Sequence, residues 1–166
     1  MSDPTEIAWK IHAAQVDWTG KVDAKASFAF AIESADIGTT VALSASGRTF
    51  ASIDECFAEL LYWCGLAGLL VGAACALLVV VPRLRGAAET AREARENFIY
   101  FGHLRHWDAD DLAAVLSKGE VLGPLTRQCV NMAKIAWRKH RLVQASMITG
   151  AIGIGALVAC GLVLTV

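Results

Sequence analysis

The residues that stand out chemically are two carboxylates in apolar surroundings. Glu33 and Asp36 are the acids within Ala26–Ser46, a stretch otherwise free of charge. Three apart, they share a face of a helix. An ionised carboxylate at mid-bilayer costs about 2.5–3.5 kcal/mol on the insertion scale. Intramembrane acids face a bundle interior or a wet cavity. Two readings stay open: the pair lines a pore or defect in an oligomer, or it sits near an interface with only a packing role. Thr39 and Thr40 add polarity on no single face. A second cluster, His103 and His106 near Asp108, Asp110 and Asp111, has no standard metal-ligand spacing, so turn histidines and no metal are expected. The five cysteines (Cys56, Cys64, Cys75, Cys129 and Cys160) form no CxxC pair, which argues against a metal site or disulfide framework. The basic run Lys134, Arg138, Lys139, His140 and Arg141 has three readings. It can hold anionic headgroups at about 1 kcal/mol per cation, grip a nucleotide phosphate, or simply anchor the topology. Neither GxxxxGK[ST], GxSxG nor HExxH occurs, and a non-enzymatic role is expected.

The elements that must position these groups are hydrophobic. The chain has 166 residues, room for a single domain over 1–166; 55% are hydrophobic and 19% charged. Soluble domains sit nearer a quarter charged. Net charge of −1 gives a nucleic-acid partner no support. Leu60–Val81 is charge-free for roughly 22 residues, enough to cross a hydrocarbon core. Tyr62 and Trp63 mark one end, and Pro82, Arg83 and Arg85 close the other. Leu142–Val166 is a second charge-free run, led by the basic cluster. Cations flanking a span hold that end in the cytoplasm. Both basic ends face the connecting segment 83–141, which is therefore read as a cytoplasmic helical module. Gly47–Glu59, with Arg48 against Asp54, Glu55 and Glu59, suits an external loop. The N-terminal segment lacks an apolar signal core and carries Lys10, Lys21 and Lys25, so it starts inside. Something must then cross, and Ala26–Ser46 is the candidate. The expected fold is an all-α membrane protein with three transmembrane helices (26–46, 60–81 and 142–166), the first more polar than the others. The N-terminus lies in the cytoplasm and the C-terminus outside.

Smaller features complete the pattern. Ile7, Ile11, Ala14, Trp18 and Val22 recur at helical spacing, so 5–22 reads as an amphipathic cytoplasmic helix, with Asp3, Pro4 and Glu6 at its start. Arg83–Asn97 reads as a charged extension of the second span, 98–106 as an aromatic packed turn, and 108–116 as a short Asp-capped helix. From Leu125 a single helix runs into the last span. Gly68 and Gly72 make a GxxxG, and Gly155 belongs to a small-sided last span with Gly150 and Gly153. Both spans thus suit close helix packing, within the chain or in a homo-oligomer.

Three stretches together resemble the Pycsar effector family. VDAKASFAFAIE, residues 22–33, is similar to the family's "D-x-K-A-S" lead into its first membrane helix. NFIYFGHL, residues 97–104, resembles its aromatic "N-x-x-x-F-G" turn, and IAWRKHRLVQAS, residues 135–146, resembles its basic lead into the last span. The matched positions are Asp23, Lys25, Ser27, Asn97, Phe101, Gly102, Arg138 and Lys139. The resemblance implies a bacterial inner-membrane effector of antiphage defence, functionally linked to a cyclase that makes a cyclic pyrimidine nucleotide, cyclic CMP or cyclic UMP. Such an effector damages the membrane and halts phage spread. Similar actinobacterial proteins are also described as integral membrane plasmid-transfer proteins, which makes conjugative transfer the alternative. Glu33 and Asp36 depart from the family pattern, making the first span more polar than the resemblance implies.

Overall fold

The computed structural model describes residues 3–45 and 47–165; Ser46 and Val166, the ends of two expected spans, lie outside the described residues. The described chain is helical, without strands. Six α-helices follow in order: α1 Pro4–Leu43, α2 Cys56–Val80, α3 Ala87–Glu93, α4 Phe101–Leu104, α5 Ala109–Ser117 and α6 Leu122–Val163. A 3-10 turn over Ala94–Glu96 follows α3. Among the described residues two helices, α2 and α6, are long and apolar enough to cross a membrane.

The first 40 helical residues form one element where the sequence suggested two. Asp3 starts it: its Oδ1 accepts from Thr5 N at 3.0 Å, with Pro4 tolerated in the first turn. Nothing between Val22 and Ala26 breaks a helix, so the amphipathic segment and the candidate span fuse. Its packed face also differs from the expected stripe. Positions 5, 8, 12, 15, 19, 22, 26, 29, 33, 36, 40 and 43 are buried or half-buried, in alternating steps of three and four. Ile7, Ile11 and Trp18 lie off this seam and are exposed; Val22 lies on it. The seam is made of small and polar residues, which let backbones come close. Similar seams run along α2 (58, 62, 65, 69, 72, 76, 79) and along α6 from 125 to 160. A repeat near 3.5 residues is the signature of left-handed knobs-into-holes packing.

The second helix stops where the sequence suggested it would continue. Pro82 cannot donate to a helix and pushes its predecessor to extended backbone, and Val81 sits at φ −64°, ψ 121°. The chain resumes as the separate helix α3. Asp108 caps α5 by accepting from Asp110 N at 3.0 Å. Gly119, at φ +73°, supplies the left-handed residue that turns the chain towards α6.

The chain forms two compact units. One contains Met1–Gly20 with Pro82–Arg138; the other contains Lys21–Val81 with Lys139–Val166. In the first, Ala8, Leu125 and Cys129 form the core, with Ile99 and Val121 against it. Gln15 Nε2 donates to Cys129 O at 3.0 Å, and the Cys129 thiol to Ala8 O at 3.6 Å. Burial pushes that thiol above its ordinary pKa. In the second unit, Val22, Ala26, Val79 and Val143 form a core between α1, α2 and α6. There α2 runs antiparallel to both of the others.

Candidate functional site

Glu33 occupies the middle of the second unit. It is 3% exposed, the most enclosed of the described acids. Its Oε1 accepts from Ser146 Oγ at 3.0 Å. Space for the carboxyl comes from two glycines: a Cβ on Gly72 of α2 or on Gly150 of α6 would lie 2.5 Å from Oε1. Glu33 Oε2 and Asp36 Oδ2 are buried without a hydrogen-bond partner among the described residues. Glu33 thus points between three helices of one chain. Asp36 is half-buried on the same seam, one turn on. Thr40 returns its hydroxyl to Asp36 O at 2.8 Å.

The small-residue signals sort by face. A Cβ on Gly68 would approach Gly153 Cα at 3.0 Å and one on Gly65 would meet Leu157, so Gly65, Gly68 and Gly153 let α2 and α6 backbones approach. Gly155 has open space around it. Buried Cys160 donates its thiol to Ala58 O at 3.2 Å. Gly65 was not singled out in the sequence, although it stands seven residues before Gly72 on the same seam.

Two motif positions from opposite ends of the chain meet in this unit. Lys139 Nζ lies 2.6 and 2.8 Å from the two Asp23 oxygens. The pair is partly exposed, so its net worth is within about 1 kcal/mol. Ser27 donates to Asp23 O at 3.0 Å. Lys25 lines an apolar groove of about 310 Å³ whose wall includes Glu33. Arg138 is exposed.

The aromatic turn organises the first unit. Asn97 Nδ2 donates to Glu93 O at 3.0 Å, and its Oδ1 accepts from Arg127 Nε at 3.0 Å. Arg127 also donates to Glu96 O. Gly102 is required because the Tyr100 ring lies where a side chain would stand. Phe101 packs against Tyr100 at 4.6 Å between ring centroids but stays largely exposed. Trp107 Nε1 donates to Ala94 O at 2.7 Å. Below the turn, Arg85 bridges Glu93 at 2.8 Å and Glu89 at 2.5 Å. Hydrogen bonds to Glu93 and then Glu89 hold the guanidinium above its ordinary pKa, and Arg85 holds the Glu93 carboxyl below the usual range. His103 is buried, 3.4 Å from Glu93 Oε2, and its Nδ1 has no hydrogen-bond partner among the described residues. His106 Nε2 lies 3.3 Å from Thr90 Oγ1. A cleft of about 860 Å³ opens here, lined among others by Arg85, Tyr100, Phe101 and Lys134. A smaller one of about 320 Å³ is lined by Asn97, Tyr100 and Arg127.

The family model for the Pycsar effector protein domain matches residues 7–166. The chain belongs to the Pycsar effector family. No curated protein and no solved structure matches it. As a Pycsar effector it serves cyclic-nucleotide-based antiphage defence at a membrane, which fits its two apolar helices. The family match spans both units, so the polar core around Glu33 and the cleft beside Tyr100 belong to one effector domain.

Proposed function

We propose that this Pycsar effector crosses the bacterial inner membrane three times and impairs that membrane when a cyclic pyrimidine nucleotide, cyclic CMP or cyclic UMP, reaches it. The observation that carries the reading is the pairing of α1 with α2 from end to end. Ser44 Oγ lies 2.9 Å from Tyr62 Oη at one end. Val22 and Ala26 pack with Val79 at the other. The segment Lys21–Leu43 therefore lies along the apolar length of α2. If α2 crosses the bilayer, α1 occupies the same depth, and its carboxyl at Glu33 is sheltered by Gly72, Gly150 and Ser146. Sheltering removes the objection that a lone helix with two acids would not insert. The N-terminus then lies in the cytoplasm and the C-terminus outside.

In the resting state the carboxyl is enclosed. Activation loosens the three-helix packing, lets water reach Glu33 and Asp36, and lowers the barrier to ions, in a homo-oligomer of the chain. Only a ligand with different affinities for the two states can drive this change. The effector performs no catalysis; a partner cyclase supplies the ligand. The decisive cellular experiment co-expresses the chain with a pyrimidine nucleotide cyclase and reads membrane potential after phage infection. Depolarisation and growth arrest are expected, and Glu33→Ala with Asp36→Ala abolishes them. Normal potential in cells producing the nucleotide rejects the reading; depolarisation by the double variant removes the acids from the mechanism. Conjugative plasmid transfer gains no support from the family match.

A further inference from the structure

We infer that the larger cleft of the Pro82–Arg138 unit is the ligand site, and that it takes a cyclic nucleoside monophosphate. The inference rests on the proposed nucleotide response and adds the place where it begins. A volume of about 860 Å³ falls in the range of small-molecule sites. One wall is aromatic: Tyr100, fixed by its contact with Gly102, stands beside His103 at 5.3 Å between ring centroids. The lining also includes a face of α6 carrying Gln128, Asn131 and Lys134, three residues apart and flanking the packed seam. Their side chains make no hydrogen bond or ion pair among the described residues, so two amides and one ammonium are free for a ligand.

Charge selects the ligand's sign. The carboxylate in the cleft, Glu93, is already committed to Arg85. Among the described residues Lys134 has no ion pair, so this part of the cleft favours an anion. Amide side chains offer both donors and acceptors, as the edge of a heteroaromatic base requires. An aromatic ring offers a stacking face to any base. A purely apolar ligand would leave the amides and the ammonium unpaired, and a cation would meet Lys134 and Arg85. The chemistry that satisfies all three is a planar base joined to a single phosphate charge: base edge to Gln128 and Asn131, base face to Tyr100, phosphate to Lys134. Arg85 is a second phosphate partner only if Glu93 gives way.

The test uses the full chain in lipid nanodiscs, titrated calorimetrically with cyclic CMP and cyclic UMP. Asn131→Ala and Lys134→Ala alter exposed positions on α6 and leave its packed seam intact. Arg138→Ala removes an exposed cation that does not line the cleft. The expected result is wild-type binding of at least one nucleotide, weakened about tenfold or more by Asn131→Ala and by Lys134→Ala, as the loss of a charged or amide hydrogen bond requires. Arg138→Ala binds as wild type, and Lys134→Arg recovers most of the affinity. Wild-type binding with unchanged Asn131→Ala and Lys134→Ala overturns the site and leaves the proposed function standing. An equal loss in Arg138→Ala also overturns it, since the contribution of charge is then diffuse. No binding by the wild type to either nucleotide overturns the site and the proposed nucleotide response together.

Discussion

A carboxyl enclosed by apolar helices is stable only where its surroundings make room and supply donors. Glu33 has one donor, Ser146, and room left by Gly72 and Gly150. A side chain at either glycine must displace the acid. Gly150→Val should therefore destabilise the detergent-solubilised protein by about 1–3 kcal/mol, as overpacking does. In a Glu33→Ala background the same change should cost less, and a double-mutant cycle in chemical unfolding measures the difference. Equal costs in both backgrounds would show that the glycine and the acid do not share this space. Asp23 and Lys139 make a smaller prediction. Either neutralised alone should cost at most about 1 kcal/mol, because the pair is partly solvated. The reversed pair, Asp23→Lys with Lys139→Asp, should restore the loss. At this scale the sequence left the directions of its candidate residues open. Spacing put Glu33 and Asp36 on one face; only the placement of α2 and α6 says that this face looks inward. Gly68 and Gly72 were legible as packing residues, whereas Gly65 and Gly153 were separable from Gly155 only through the heptad phase.

Helix boundaries depend on both local chemistry and packing, and α1 and α2 illustrate the two. Pro82 ends α2 by a local rule, yet the apparent continuity of Arg83–Asn97 with the span obscured it. For α1 the eye follows Ile7, Ile11 and Trp18, an apolar stripe at helical spacing. The packed seam instead contains Ala8, Gln15, Thr19, Ala26, Glu33 and Thr40, residues that carry little hydropathy. Close packing of small residues and hydrophobic patterning are different signals, and here they lie on different faces. The docking of α3 makes a pH prediction. Arg85 lowers the Glu93 pKa below its ordinary value of 4.5 in the folded state. A lowered folded pKa contributes stability above the unfolded value, which is lost as pH falls through the folded value. Thermal melts of the wild type should therefore show an extra loss at pH below 4.5, and Glu93→Gln should lack that component. A wild type and a Glu93→Gln variant with parallel acid profiles would contradict it.

At the scale of the molecule, the arrangement of the helices carries the functional reading. The all-helical class, both apolar spans and the unbroken run into the last one were legible, because charge-free length is a strong signal. The stretch 26–46 was singled out only through the balance of charge in the loops; it lies within the continuous helix α1, which is not among the two described helices long and apolar enough to cross a membrane. The cleft was not legible at all: it joins residues near 12, 85, 100 and 131, which no local pattern connects. Topology can be checked with the chain's own thiols. Cys56 is exposed at the start of α2, the end read as external. In intact cells a membrane-impermeant maleimide should label Cys56 in a chain lacking its other cysteines. Lys10→Cys in a cysteine-free chain should be labelled only after permeabilisation. Labelling of both from the same side would mean that α1 does not cross.

The most direct test of the central claim, a nucleotide-triggered breach of the bilayer, is ion leakage from liposomes carrying only the purified chain. Addition of cyclic CMP or cyclic UMP should dissipate a preset potassium gradient in liposomes that hold it without nucleotide, and Lys134→Ala should raise the concentration required. An intact gradient at nucleotide concentrations that saturate binding to the inserted protein would contradict the claim.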